Sequence, residues 1–144
     1  NPLYFISQIQ DITARKEAQQ ALQKSQARFQ KLAANVPGAI YEVVFRQDKS
    51  VEYEYMSAAC LEIYELEPKQ VMKNAQLIYD CIHPDDRENF YAAARRSSQT
   101  LEPFAREWRI VTPSGKIKWL QGTSRPERRE NGDIVWHGVA IDVS

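Results

Sequence analysis

The stretch REWRIVTPSGKIKWL, residues 106–120, decides the fold class of this chain. Its two halves are rich in β-branched and aromatic residues, which favour strands. Pro113, Ser114 and Gly115 lie between the halves and form turns readily. The pattern therefore predicts two antiparallel strands joined by a tight turn. A second turn and a third strand follow. The three strands predicted for the C-terminal part of the chain lie at 103–112, 116–126 and 134–144.

Two more strands are predicted before this region. AIYEVVFR (39–46) and VEYEYMS (51–57) are again β-branched and aromatic, and a polar hairpin loop separates them. Between the second and third strands the alternation is lost, and the sequence predicts helices at 58–64, 68–73 and 83–101. The order predicts an α+β domain with one five-stranded antiparallel sheet and short helices on one face.

An N-terminal helix is predicted at 14–36, because the segment contains good helix formers and no Gly or Pro. Pro37 and Gly38 end it. Apolar and small residues recur along it in steps of four and three, as in a heptad stripe. The stripe would either pack on its own domain or form a parallel coiled coil with a second chain, and both readings stay open. It consists of Ala18, Leu22, Ser25, Phe29, Leu32 and Val36.

Residues 1–13 are predicted to be a short strand. FISQIQDIT (5–13) aligns with WHGVAIDVS (136–144), and Asp11 then matches Asp142. The same strand ending thus occurs twice, one domain length apart. We therefore expect residues 1–13 to end an upstream copy of the domain and the 14–36 helix to link the copies. The chain lacks an initiator Met, and we expect it to be a fragment of a longer protein.

Several motifs together resemble the PAS domain, in the subclass whose C-terminal half is called the PAC motif. MSAACLEIYELEPKQV resembles the family's "S-P-x-x-x-x-x-x-G-Y-x-x-E-E-L", and IHPDDRENF resembles its "HPDDR" helix start. The stretch from REWRIVTPSGKIKWL through NGDIVWHGVAIDVS resembles its tail, which ends in "DIT". The resemblance covers residues 37–144.

The chain departs from this family pattern at three places. Pro113-Ser114 replaces a frequent Asp before Gly115, Ala58 replaces a common Pro, and Glu65 stands near the usual Gly. These are changes within loops.

The resemblance implies that one parity of each strand faces the helices. That interior could be a ligand pocket or a filled core, and large side chains favour the filled core. The ligand-pocket candidates are Tyr41, Val43, Tyr55, Leu61, Ile78, Phe90, Trp108, Ile110, Leu120 and Ala140.

The opposite parity leaves an apolar outer face, which marks an interaction surface. Its members are Ile40, Val44, Trp119, Val139 and Ile141. We expect the 14–36 helix, its own or a partner's, to cover this face. The dimer and linker interface candidates are Ala18, Leu22, Phe29, Leu32, Val36, Trp119, Val139 and Ile141.

Composition and motifs exclude several function classes. Lys+Arg and Asp+Glu are 19 each, which argues against a nucleic-acid binder. The chain has two His, too few for a His-rich metal site, and no nucleotide-binding loop or catalytic triad. Cys60 and Cys81 are expected to be buried, reduced thiols. No transmembrane segment or signal peptide is predicted, and the expected location is cytoplasmic, even if the parent protein is membrane-anchored.

The resemblance also limits the cofactor. The predicted helix 83–101 has no His after His83, which argues against the haem mode of some PAS relatives. Neither Cys lies in the N-C-R-F-L-Q context of relatives that form a covalent flavin adduct. Non-covalent ligand binding stays open.

The predicted function is therefore a sensory module without catalytic residues. It would dimerise and relay a signal, with or without a small ligand, to an effector outside this sequence, such as the histidine kinase of a bacterial two-component system. The alternatives are a ligand-independent dimerisation scaffold and the PAS module of a diguanylate cyclase. The expected partners are a second copy, neighbouring PAS and effector domains, and a small molecule.

Overall fold

The computed structural model describes the backbone of residues 2–144 and the side chains of residues 6–144. The chain divides into two units, of which the first ends at Asn35 and the second comprises Val36–Ser144. No helix in the described part of the chain is both long enough and apolar enough to cross a membrane.

The first unit is a single helix, α1 (Pro2–Asn35). The helix predicted at 14–36 is present and its end agrees to within one residue, but the helix begins at Pro2, so the strand predicted at residues 1–13 is wrong for residues 2–13. A strand needs a neighbour for its backbone groups, whereas a helix satisfies them internally. Thr13 adapts to the helix because its hydroxyl donates a hydrogen bond to the carbonyl of Ile9 at 2.9 Å. Residue 1 lies outside the described residues, and the upstream copy of the domain stays a prediction.

The apolar stripe of α1 faces solvent in the single chain. Leu22 is 59% exposed and Leu32 is 61% exposed. Ala18 and Phe29 are exposed too, while Val36, beyond the helix, is partly buried.

The second unit contains the predicted five-stranded antiparallel sheet. Its spatial order is β2-β1-β5-β4-β3, so the last strand in sequence lies at the centre. The strands are β1 (Ala39–Phe45), β2 (Val51–Met56), β3 (Phe104–Val111), β4 (Ile117–Arg128) and β5 (Ile134–Asp142).

Four helices connect β2 to β3 and pack on one face of the sheet, where the hydrophobic core lies. They are α2 (Cys60–Tyr64), α3 (Pro68–Lys73), α4 (Gln76–Asp80) and, after a 3₁₀ turn at Pro84–Asp86, α5 (Arg87–Thr100). Pro68 and Pro84 each occupy the first turn of their element, where a missing N–H costs nothing. Sequence reasoning missed α4, which has only 5 residues.

A β-bulge in β2 changes which of its side chains face the core. Tyr41 pairs with Met56 and Glu42 with Tyr55, but Val43 pairs with Tyr53. Glu54 is the extra residue, and it reverses the alternation along β2. Tyr53 is buried against the helices, opposite Val43, and the bulge places Tyr55 on the outer face, opposite Glu42.

Two of the departures from the resembled pattern contact each other. Glu65, with φ of 60°, ends α2 in the left-handed region that usually requires Gly. Its carboxylate accepts hydrogen bonds from the Ser114 backbone N–H at 3.0 Å and from the Ser114 hydroxyl at 2.8 Å. The side chain that strains the helix end thus also fixes the β3–β4 turn.

An ion pair joins the start of α5 to β3. Asp86 accepts three hydrogen bonds from Arg109, from the backbone N–H at 2.7 Å, Nε at 3.0 Å and Nη2 at 2.8 Å. The guanidinium also lies over the Trp119 ring, with its carbon 5.3 Å from the ring centroid. The Arg109 guanidinium holds the pKa of Asp86 below its usual range. One pair thereby connects a helix on the inner face to an aromatic residue on the outer face.

We predict that Asp86→Asn lowers Tm at neutral pH by about 4–8 °C, the change that roughly 1 kcal/mol produces in a domain of this size. Because the folded-state pKa of Asp86 is lowered, its contribution is present above the unfolded pKa of about 3.9 and is lost as the pH falls through the folded value. The Tm difference between wild type and variant should therefore shrink in acid. Thermal denaturation monitored by circular dichroism measures it.

The matched control is Asp85→Asn, because the neighbouring carboxylate is 76% exposed and makes only a 3.9 Å contact with His83. An equal loss of Tm in both variants would contradict a specific role for the Asp86–Arg109 pair.

Candidate functional site

The interior between the sheet and the helices encloses a cavity of about 60 Å³. Strands β1, β2, β3, β4 and β5 all contribute to its wall, as do α2, α4 and α5. Six of the ten ligand-pocket candidates line it: Tyr41, Val43, Ile78, Phe90, Trp108 and Ala140.

The other four candidates lie elsewhere. Ile110 and Leu120 are fully buried in the core but do not line the cavity. Tyr55 was assigned wrongly because the bulge in β2 turns it outward. Leu61 was also assigned wrongly, since it is 51% exposed. Helix α2 buries Cys60, Ile63 and Tyr64, which share one helical face, and Leu61 projects from the other.

Sequence reasoning missed ten lining residues. Four of them, Ala39, Phe104, Ser124 and Trp136, continue the alternation of candidates already chosen on the same strands, so strand parity could have found them. Tyr53 has the same parity as the candidate Tyr55, so strand parity could have found it too, whereas Met56 faces the cavity only because of the bulge. The rest lie on or beside helices: Tyr64, Tyr79, Ile82 and Ala94.

The polar groups of the cavity are mostly tyrosine hydroxyls. Tyr41 is hydrogen-bonded to Ser124, and Tyr53 is hydrogen-bonded to Tyr79. Burial raises the pKa of all three tyrosines and of Tyr64, so these phenols stay neutral at physiological pH. The lining thus offers aromatic faces and uncharged hydrogen-bonding groups.

Ionised or nucleophilic side chains are absent from this lining among the described residues. His83 and His137 lie outside it, and so do both cysteines. Burial raises the pKa of Cys60 to about 12, which keeps its thiol protonated and unreactive. Aromatic faces with a few neutral polar groups are the usual lining of ligand pockets.

Trp136 connects the central strand to α5. Its Nε1 donates a hydrogen bond to the Ser97 hydroxyl at 3.0 Å, and that hydroxyl donates to the backbone carbonyl of Glu102 at 2.6 Å. Ser97 is one of only a few buried polar residues in the domain core. The relay fixes the indole at the cavity wall and anchors the C-terminal end of α5.

Trp108 depends on a glycine in the neighbouring strand. A Cβ at Gly122 would lie 2.3 Å from the Trp108 ring. The absence of a side chain at Gly122 therefore allows the indole to lie flat across β4, where it packs edge-on against Phe90 with the ring centroids 5.0 Å apart.

The outer face of the sheet divides into a charged part and an apolar part. His137 lies between Glu42 at 3.3 Å and Glu127 at 3.5 Å. The ion pair of Glu54 with Arg129 joins β2 to the residue after β4. The apolar part contains Trp119, which is 45% exposed, and the partly buried Ile40, Val139 and Ile141.

Val44 does not belong to the exposed apolar part. It was expected there, but it is fully buried, as is Val135 beside it on β5. The Glu54–Arg129 pair spans the two strands that carry these valines, since β1 and β5 lie between β2 and β4. Charged side chains thus cross the sheet over this region.

We predict that the four cavity tyrosines do not ionise in the folded protein. Burial raises their pKa, so their stabilising contribution is present below the unfolded value of about 10 and is lost as the pH rises through the folded value. Their tyrosinate absorbance should therefore appear only together with unfolding in alkali. Ultraviolet absorbance and circular dichroism, followed in one titration, measure both.

The variant Tyr79→Phe provides the control, because it should remove one tyrosine from the group that ionises on unfolding. Complete tyrosine ionisation before any change in circular dichroism would contradict the buried arrangement.

Known proteins resemble this chain in sequence and in fold. The sequence profile of the PAS fold matches residues 53–140. The probable diguanylate cyclase DgcE of Escherichia coli is 31% identical over 140 residues, which cover 92% of this chain and 12% of that protein. The chain therefore corresponds to a small part of this relative's length.

Solved structures share the fold. The N-terminal domain of a diguanylate cyclase with a PAS/PAC sensor from Marinobacter aquaeolei has a TM-score of 0.60 and 16% identity, and the match covers 73% of this chain and 95% of that one. A sensory box histidine kinase/response regulator from Burkholderia thailandensis has a TM-score of 0.59 and 21% identity, with 81% and 84% covered. At these identities the likeness concerns the fold.

Proposed function

This chain belongs to the PAS fold family, and we propose that it senses a small molecule in its cavity, dimerises, and relays the signal to an effector domain of the same protein. The observation that carries the proposal is the uncharged cavity of about 60 Å³ beneath the central strand of the sheet. A PAS sensor domain is not catalytic, and the effector lies outside this sequence.

The central strand offers a route from the cavity to the outer face. Trp136 and Ala140 of β5 line the cavity, whereas Val139 and Ile141 point the opposite way because side chains alternate along a strand. A ligand that repositions β5 therefore moves residues on both faces. Such a switch requires two arrangements whose balance the ligand changes.

The exposed stripe of α1 supports dimerisation. Leu22 and Leu32 are each more than half exposed, which favours a helix partner over solvent. We assign the dimer to this stripe together with the apolar part of the outer face. The parallel arrangement, the PAC subdivision, the upstream repeat and the cytoplasmic location remain predictions.

The cavity supports non-covalent binding over the haem and covalent flavin modes. Its lining lacks His and Cys within the described residues. The ligand is therefore proposed to be held by packing and hydrogen bonds alone. A ligand-independent scaffold is the second candidate function, and it is favoured by the small size of the cavity.

The effector of the parent protein is proposed to be a diguanylate cyclase or a histidine kinase. The first is supported by the 31% identity to DgcE along almost the whole chain, and the second by the fold shared with a sensory box histidine kinase.

We predict that Leu22→Asp weakens the dimer by about tenfold or more, because a carboxylate would have to be buried in an apolar helix seam. Gln23→Asp introduces the same charge on the adjacent, exposed position and should leave the dimer unchanged. Light scattering at a series of protein concentrations measures the dissociation constant. A monomeric wild-type chain, or equal effects of both variants, would contradict the assignment.

A further inference from the structure

A large groove lies beside the cavity, on the surface formed by α4, α5 and the β1–β2 hairpin. Its volume is about 1020 Å³, against about 60 Å³ for the cavity. Pockets that hold organic ligands usually measure about 300–1,000 Å³. The cavity alone has room for a few water-sized groups, whereas the groove has room for most of a ligand.

The groove and the cavity share a wall. Tyr79, Phe90, Ala94 and Trp136 line both of them. Trp136 is held in place by Ser97, and Ala94 has the smallest side chain of the shared wall. A ligand in the groove therefore lies one side-chain layer away from the cavity.

The rim of the groove is positively charged. Lys49, Lys73 and Arg95 line it, and its described lining contains no Asp or Glu. None of these three cations forms an ion pair with a described residue. The carboxylates of Asp48 and Asp80, which lie nearby in sequence, accept hydrogen bonds from Ser50 and Gln76 instead.

We propose that the groove and the cavity form one site for an amphipathic anion. Its acidic head, a carboxylate or a similar group, would bind among Lys49, Lys73 and Arg95. Its apolar tail would lie along the shared aromatic wall and reach the cavity past Ala94. The inference rests on the proposed function of the cavity as the sensing site, and it adds the charge and shape of the ligand.

The combination of three cations with an apolar floor selects this class of ligand. A neutral apolar molecule would pack against the apolar floor but would form no ion pair with the rim. An amphipathic cation would be repelled by the positive charges of the rim. Because the rim residues are at the surface, the preference for an anion should weaken as salt is added.

The test uses three compounds that share one alkyl chain and differ in the charge of the head. Decanoate, decanol and decylammonium are titrated into the protein by isothermal calorimetry, below the micelle concentrations of the two ions and below the solubility limit of decanol. Decanoate should bind about tenfold more tightly than decanol, the size expected for several exposed ion pairs. Decylammonium should bind most weakly.

Variants assign the binding to the groove. Lys73→Glu with Arg95→Glu should weaken decanoate binding by about tenfold or more and leave decanol binding unchanged. The matched control is Lys69→Glu with Arg128→Glu, which reverses two exposed cations outside the groove. Ala94→Phe should block both ligands by thickening the shared wall. Its control is Ala92→Phe on the same helix, which is exposed and does not line the groove.

Some outcomes would overturn the inference and leave the proposed function intact. They are equal binding of decanol and decanoate, no binding of decanoate, and an unchanged decanoate affinity in the Lys73→Glu, Arg95→Glu variant. The proposed function would fail on a different result, a wild-type chain that does not dimerise and whose effector, in the full-length parent, does not respond to filling of the cavity.

Discussion

The insertion of strand β5 between β1 and β4 is the constraint on which the rest of the domain depends. This strand is the last in sequence and lies at the centre of the sheet, paired with β1 over 134–140 and with β4 over 134–142. Without it, β1–β2 and β3–β4 would be two separate hairpins, each of which is marginal in water. The pairing of β5 with β4 is local, because a short turn joins these strands, but the pairing with β1 joins the two ends of the domain and has a high entropic cost of closure. The fold therefore forms only when the C-terminal strand has joined both hairpins.

Glycines and loop contacts adapt the neighbouring strands to that central position. Gly138 allows close approach of β4, since a Cβ there would lie 2.4 Å from the Ser124 side chain and 2.5 Å from the Thr123 carbonyl. At one end of the sheet, Asp133 accepts a hydrogen bond from the Gln47 N–H at 3.1 Å and joins the β4–β5 turn to the β1–β2 loop. These contacts determine the register of β5, and with it which side chains reach the cavity.

The strands and the longer helices were predictable from sequence because their signals are local. Alternation, turn residues and the Pro84 helix start located every strand and α5 to within a few residues. The strand predicted at 1–13 was wrong for residues 2–13, because these residues have no neighbouring strand in this chain and a helix satisfies their backbone groups internally. The repeat alignment of 5–13 with 136–144 reports a sequence relation and not the local conformation.

The lining of the cavity was only partly predictable, because strand parity is visible in a sequence and a β-bulge is not. Tyr41, Val43, Trp108 and Ala140 follow strand parity, which a sequence displays directly. Met56 lines the cavity in place of Tyr55 because of one bulge residue, Glu54, although the sequence of VEYEYM reads as regular alternation. A bulge is set by the pairing partner, so it is invisible in the strand's own pattern.

The groove was missed for a similar reason. Its walls come from four segments distant in sequence, and three of these contribute a single cation each. Isolated lysines and arginines read as solvated surface, and only the fold brings Lys49, Lys73 and Arg95 to one rim. The hydrogen bond between Ser114 and Glu65 joins two positions at which the sequence visibly departs from the PAS pattern. Their contact was not evident from the sequence.

The central claim is that the interior cavity is an occupied sensing site, and native mass spectrometry of the purified protein beside denaturing mass spectrometry tests it most directly. Native conditions preserve non-covalent complexes and denaturing conditions release them. The account predicts a dimer that carries additional mass under native conditions only, because the lining offers packing and hydrogen bonds and no group for covalent attachment. A dimer of bare chains, unchanged after exposure to a cell extract, would contradict the claim and favour the ligand-independent scaffold.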